Sequence, residues 1–297
     1  MNMSVVPVDV AYSGQLTRSV CDALTETYQG IDCKAEGKSI SGQTIPVLSI
    51  GEGEKEVFFA ASFHANEWIT TPLVLKFAED YARAIKDNTE ISGRRAAELF
   101  HAVRLFVLPM VNPDGVDLVN GFLQGVLREN ASYIAEQYPN VPFPEGWKAN
   151  LLGTDLNLNF PAGWRLARRM KFAAGFTTPA PRDFVGFAPL SAPEARVVYD
   201  FTLRRDFSMI LAFHTQGNII YWKYDDYEPP MSRHIAQILS EASGYPLELT
   251  PAFSSQAGYK DWFIKNYDRP GYTVECGIGK NPLPIRDFWN IYRAVLP

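Results

Sequence analysis

Two of the chain's four histidines stand where an apolar run breaks into polar chemistry. His64 and Glu67 lie three residues apart in SFHANEWITTP, directly after EVFFAA, and His214 closes SMILAFH. Glu275 follows GYTV in the same manner. Two imidazoles and a carboxylate suit a catalytic Zn2+ with one coordination position left for water. A further carboxylate nearby can take the proton such water loses near neutral pH, and Glu275 is the candidate base. Each residue alone has a plainer explanation. Glu67 fits the first turn of a helix, where the macrodipole favours a carboxylate, and His214 fits a hydrogen-bonded strand end. Glu275 is harder to treat as ordinary, because a carboxylate between an apolar strand and Cys276 is costly to bury unless paired or functional.

The elements that must position these groups follow from periodicity and punctuation. Leu16, Val20, Leu24 and Tyr28 recur every four residues after Ser13, predicting a helix with a Ser N-cap. IPVLSIG and EVFFAASF predict strands, and Leu73, Phe77, Tyr81 and Ile85 mark a helix beginning at Thr71-Pro72. VRLFVLPMV predicts a buried strand ending in a turn at NPDG. Residues 121–190 are rich in Pro, Gly and aromatics and read as an irregular functional surface. SAPE predicts a capping box, Ser191 with Glu194, for a helix through about Arg205. Then come the strand SMILAFH, a helix over Pro230–Ala242, the strand GYTVECG and a closing helix IRDFWNIYRAVL. The alternation predicts an α/β class: a single domain over residues 1–297, with a mixed, largely parallel central sheet flanked by helices. In such sheets ligand-binding residues gather where strands end, so the ends of three strands bring His64, Glu67, His214 and Glu275 into one neighbourhood.

Composition narrows the class of function. The 297 residues, 46% hydrophobic and 21% charged, suit a globular fold with ample core. A net charge of −5 argues against broad nucleic-acid binding. Three cysteines, Cys21, Cys33 and Cys276, are no disulfide framework and suit a reducing compartment. MNMSVVPVDVAYSG has neither a basic nor an apolar leader region, and no window approaches a membrane span. The expectation is a soluble cytoplasmic protein.

Six motifs in order, His64–Glu67, Asn112–Gly115, Trp147-Lys148, Gly153–Asn159, His214 and Thr273–Gly277, resemble the zinc metallocarboxypeptidase family. HANEWITTP, WKAN, DLNLNFPAGW, PLSAPEA, HTQGNIIYW, GYKDWF and GIGKNPLP resemble its bacterial branch of γ-D-glutamyl-diaminopimelate peptidases. These cut peptidoglycan stem peptides between γ-D-glutamate and meso-diaminopimelate. The resemblance implies one Zn2+ held by His64, Glu67 and His214, with Glu275 activating the water and protonating the leaving amine. Asp155 would orient the first zinc histidine. Lys148 falls where digestive enzymes carry an Arg that polarises the scissile carbonyl; it keeps the charge but not the planar fork.

Asn157 matches a substrate-carboxylate contact, and Leu158 stands where its Arg partner is usual, so a bidentate clamp for a free α-carboxylate is missing. Phe253 falls at the place of a mobile Tyr. Lys260 falls at the specificity-pocket position, where a cation suits the far carboxylate of diaminopimelate; the alternative is a solvated helix residue. Asn66 replaces an Arg and either bonds the substrate backbone or shapes the turn. Members of the branch can carry wall-binding modules; the absence of one here, with no leader, implies an intracellular enzyme on recycled or imported muropeptides. A carboxypeptidase or deacylase on ordinary peptides or acyl-amino acids, and a non-catalytic muropeptide sensor, are the alternatives.

Other residues carry weaker expectations. Arg165 and Arg182 are candidates to collect anionic substrate. The cluster WRLARRMK, with Arg168, Arg169 and Lys171, reads more simply as a solvated face. His101 is expected at the start of a strand, His234 on a helix face, and Cys276 as a buried structural thiol.

Overall fold

The structure, a computed structural model, describes residues 4–296. In chain order the strands are β1 (Ile31–Lys38), β2 (Thr44–Ile50), β3 (Lys55–Ala61), β4 (Glu90–Ile91), β5 (Arg94–Arg95), β6 (Val103–Leu108), β7 (Phe207–His214), β8 (Ile219–Tyr221), β9 (Leu247–Glu248) and β10 (Gly271–Glu275). Among the described residues β4 and β5 pair as a hairpin, and the rest form one eight-stranded sheet in the order β1-β2-β6-β3-β7-β10-β8-β9. The central run β6-β3-β7-β10 is parallel, so its carboxyl ends share one edge. The antiparallel pairs lie outside it, where β1 joins β2, β2 joins β6 and β10 joins β8.

The central strands are apolar on both sides because helices cover both faces. Leu105, Val107, Leu211 and Phe213 belong to one core, with the helices Gly14–Thr27 and Thr70–Lys86. Phe106, Leu108, Ile210 and Ala212 face the other, with Pro193–Leu203 and Tyr259–Tyr267. The period of two along each strand sorts neighbouring side chains to opposite layers. Ser13 caps the first helix as its sequence predicts, its side chain accepting the Leu16 N–H.

Several elements depart from the sequence expectation, each for a tertiary reason. β1 has no apolar pattern, because IDCKAEGK is an outer strand in which only Ile31 is buried, and charges of this kind protect a sheet edge. NPDG is not a turn but the start of a helix. Asn112 caps Pro113–Val119, its Oδ1 accepting the Gly115 N–H at 3.1 Å. SAPE does not make a capping box. The helix begins at Pro193 after Ala192 and ends at Leu203, and neither Ser191 nor Glu194 caps it. Ser191 Oγ instead accepts from Asn159 Nδ2 at 3.2 Å, while the buried Glu194 accepts from the Ile40 N–H at 3.1 Å and from Asn150 Nδ2 at 2.9 Å. Those carboxylate bonds join segments far apart in sequence, a gain that a local cap cannot match. Residues 121–190 hold two α-helices, Val126–Glu136 and Trp164–Ala173, and a 3-10 turn, Leu156–Leu158, within otherwise irregular chain. His101 lies in the last turn of the helix Ala96–Ala102 rather than in a strand, and it is exposed against Glu52. His234 is exposed on the helix Ser232–Ser243.

Candidate metal and catalytic site

Where β3 ends, Ser62 takes a left-handed backbone conformation (φ 51) and turns the chain out of the sheet. Its N–H donates to Thr70 Oγ1 at 3.0 Å, which fixes the turn against the following helix. His64 then caps a single 3-10 turn, Ala65–Glu67. Three residues per turn place positions i and i+3 on one side. That is why the His64 and Glu67 side chains face the same point, with Nδ1 and Oε1 2.8 Å apart.

The third member arrives from the adjacent strand. β7 ends at His214, whose Nδ1 is 2.8 Å from Glu67 Oε2 and 3.3 Å from His64 Nδ1. All three side chains are buried, and their ligand atoms lie within 4.8 Å of one another. Two imidazole nitrogens 3.3 Å apart, each 2.8 Å from one carboxylate, form a ligand set that a divalent cation would satisfy. The far nitrogen of His64 donates to Asp155 Oδ1 at 3.1 Å, which fixes the ring's tautomer and leaves the Nδ1 lone pair for a metal. Asp155 is itself held by the Asp183 N–H at 3.1 Å. These groups fit zinc. Asp155→Asn is therefore expected to weaken zinc affinity roughly 10- to 100-fold, read by chelator competition. An unchanged affinity would remove Asp155 from this role.

Lys148 closes the site from another segment. Its carbonyl accepts the Ala65 N–H at 3.0 Å, and Asn112 Nδ2 reaches the Ala149 carbonyl at 3.0 Å and the Phe63 carbonyl at 3.3 Å. The Trp147-Lys148 segment and the His64 loop are thus stitched together through the Asn112 cap. Lys148 Nζ donates to Glu67 Oε1 at 3.0 Å. Glu275 ends β10 directly beside His214 in parallel register. Its carboxylate makes no hydrogen bond to the described chain, which leaves its oxygens free for a ligand.

Electrostatics follow from burial and company. Burial opposes the charged form of His64, yet Glu67 and Asp155 outweigh it and raise the imidazole to about 9. For His214 burial prevails and the value falls. Burial works against ionised Glu67, but His64, Lys148 and His214 hold it well below the usual carboxylate range. Burial likewise works against charged Lys148, and Glu67 reverses the effect, so its ammonium persists at neutral pH. Burial, then Glu67, push the Glu275 carboxyl up to about 8, against Lys148 and His64. A dication among the three ligands would pull that carboxyl back toward the ionised form.

Two cavities meet at this point, sharing Lys148, Arg182, Tyr221 and Glu275. The first is lined by His64, Asn157, Leu158, Lys171, Lys260 and Asp261, among others, and the second by Asn66, Glu145, Gln216, Lys280 and Asn281. Asn157 faces the first cavity, but its Oδ1 accepts the Tyr259 N–H at 3.0 Å and its Nδ2 lies 3.5 Å from His214 Nε2. Lys260 is not a solvated helix residue. It is buried, donating to Asp261 Oδ1 at 2.6 Å and to the Lys223 carbonyl at 2.8 Å. Asn66 lines the second cavity, with Nδ2 donating to the Glu145 carbonyl at 3.0 Å and Oδ1 buried without a partner.

The basic cluster does not form one solvated face. Lys171 is buried in an ion pair with Asp183, whereas Arg165, Arg168 and Arg169 are exposed, and Arg165 lines neither cavity. Phe253 is exposed, lines neither cavity, and takes the Lys171 ammonium over its ring at 3.4 Å. Cys276 is buried beside the Val274 carbonyl. Tyr221, Asp183 and Asp261 were not legible as site residues. The one trace in sequence is that Arg182-Asp183 and Lys260-Asp261 are adjacent opposite charges.

A sequence model of the zinc carboxypeptidase family matches residues 17–288. The chain is 47% identical over 261 residues to the gamma-D-glutamyl-L-diamino acid endopeptidase 1 of Lysinibacillus sphaericus, covering 88% of this chain and 64% of that one. It thus spans a little under two thirds of that relative. An uncharacterized protein of Bacillus subtilis (strain 168) is 40% identical over 276 residues, covering 91% and 71% of the two chains. Among solved structures, a carboxypeptidase A from Helicoverpa armigera superposes with a TM-score of 0.74 at 18% identity, covering 99% of this chain and 74% of that one; the likeness is one of fold.

Proposed function

The chain belongs to the zinc carboxypeptidase family, and on that premise we propose that it hydrolyses the amide between γ-D-glutamate and meso-diaminopimelate in peptidoglycan stem peptides. Residues 1–297 supply one zinc peptidase catalytic domain in this reading. The observation that carries it is the meeting of His64, Glu67 and His214 within 4.8 Å, with the unbonded Glu275 carboxylate in register beside them. The likeness to an enzyme named for a γ-D-glutamyl–diamino acid bond points to the substrate. Leu158 supports an endopeptidase over an ordinary carboxypeptidase, since it leaves the position beside Asn157 in the first cavity without a cation for a C-terminal carboxylate.

His64, Glu67 and His214 would hold one Zn2+, which when bound polarises a carbonyl and acidifies water. The remaining work falls to the chain's own groups. Glu275 accepts the proton of the attacking water on a carboxylate oxygen and returns it to the diaminopimelate nitrogen as the C–N bond breaks. Lys148 donates from Nζ to the carbonyl oxygen as that oxygen gains charge. Asp155 keeps the His64 ring in one tautomer. Asn157 and Lys260 wall the cavity for one side of the substrate, and Asn66 the other.

No helix among the described residues is long and apolar enough to cross a membrane. The free thiols of Cys21, Cys33 and Cys276 support a reducing compartment such as the cytoplasm, and with it action on recycled or imported muropeptides. The decisive assay offers L-Ala-γ-D-Glu-meso-diaminopimelate and a hippuryl amino acid, each with and without a chelator. Chelator-sensitive cleavage of the first alone is expected. Cleavage of the hippuryl compound alone would make this a carboxypeptidase, and zinc binding with cleavage of neither would make it a binding protein.

A further inference from the structure

Five cations border the joined cavities, and one of them keeps open donor nitrogens where the two cavities meet. Lys148 is bonded to Glu67, Lys171 to Asp183, and Lys260 to Asp261 and a backbone carbonyl. Lys280 is exposed and lines only the second cavity. Arg182 is the remaining one. Only its Nε is engaged, donating to Asp183 Oδ2 at 2.8 Å, so the two terminal nitrogens of the guanidinium stay open. It lines both cavities at their seam, together with Lys148 and Glu275.

Its position is fixed from both sides. The Pro181 carbonyl before it accepts the N–H groups of Lys148, at 2.8 Å, and Ala149, at 2.9 Å. The Asp183 N–H after it donates to Asp155 at 3.1 Å, the carboxylate that orients His64. Asp183 adopts a left-handed conformation (φ 66) and its side chain joins Arg182 to Lys171. Arg182 is therefore anchored to the residues that flank the reacting centre, with its free fork at the seam.

A γ-linked glutamyl amide carries one charged group close to the bond that is cut. Its α-carboxylate stays free, separated from the scissile carbonyl by two methylenes and the α-carbon, about 5 Å by bond lengths. Building on the substrate proposed above, we infer that Arg182 binds this carboxylate and so selects glutamyl substrates in which it is free over those in which it is amidated. A guanidinium with two free N–H-bearing nitrogens matches a carboxylate bidentately. The other cations are less suited, because each is a single ammonium that is already held to a carboxylate or, for Lys280, lines only the second cavity.

The test is a ratio. The purified zinc-loaded chain is given L-Ala-γ-D-Glu-meso-diaminopimelate and its isoglutamine counterpart, in which the α-carboxylate is an amide. The wild type is expected to favour the acid by roughly 10- to 100-fold in kcat/KM, the range for a hydrogen-bonded charge. Arg182→Met should bring that ratio close to one, with zinc content and thermal midpoint reporting the fold. Arg182→Lys, which keeps the charge and loses the fork, should keep part of the preference and serves if the Met variant does not fold. A wild-type ratio near one, or a ratio unmoved by either substitution, overturns the inference while leaving the substrate assignment standing. So does a collapse of the ratio in Lys280→Met instead. If the loss in Arg182→Met disappears when lysine replaces diaminopimelate, the residue reads the other side of the bond and the inference is wrong. Wild-type protein that cleaves neither compound overturns the substrate assignment itself.

Discussion

Glu275→Gln is expected to lower kcat by about 10²- to 10⁴-fold, the usual contribution of a positioned acid–base group, while zinc content and KM stay near wild type. The amide is nearly isosteric and cannot take a proton at neutral pH. The carboxylate is no member of the ligand cluster, since the grouped atoms belong to His64, Glu67 and His214. Its backbone is held in register between β7 and β8, so the exchange should not disturb the strand end. It also makes no hydrogen bond to the described chain, and its removal leaves no protein donor unpaired. The loss should therefore fall on the chemical step alone. A kcat within about tenfold of wild type would show that another group moves the proton, and a parallel loss of zinc would make Glu275 a ligand.

The same residue illustrates what the sequence can reveal. Strand ends were legible because buried parallel strands are dense apolar runs, and the polar residues just after each run mark the edge where ligands bind. His64, His214 and Glu275 each follow such a run. The 147-residue gap between Glu67 and His214 carried no information by itself; the parallel pairing of β3 with β7 closes it. What failed was local inference wherever a polar side chain bonds across the fold. Ser191 and Glu194 have the spacing of a capping box, yet their oxygens serve Asn159, Asn150 and Ile40. Asn112 has the chemistry of a turn and serves as a cap that also ties two site loops. Lys171 and Lys260 look solvated in sequence and are buried, because Asp183 and Asp261 neutralise them. Pairing decides whether a lysine is surface or wall, and pairing between segments has no sequence period.

Lys148 is where that distinction bears on catalysis. Lys148→Met is expected to reduce kcat by about 10²- to 10³-fold, comparable with loss of one oxyanion donor. The ammonium stays charged because Glu67 outweighs burial, and it enters the site from a segment pinned to the His64 loop by the Ala65 N–H. Its partner is Glu67 Oε1 at 3.0 Å, so methionine also removes a charge that helps hold Glu67 ionised. Zinc affinity must therefore be measured alongside kcat. If affinity falls and kcat at saturating zinc does not, Lys148 tunes the ligand rather than the reaction. Lys148→Arg separates the effects further, because it restores the charge with a larger, planar head group in a buried space. Recovery of zinc affinity with incomplete recovery of kcat is the expected pattern, since a point donor built for one oxygen must sit within hydrogen-bond range when charge develops there. A purely KM effect in both variants would mean that Lys148 binds ground-state substrate and leaves the oxyanion to other groups.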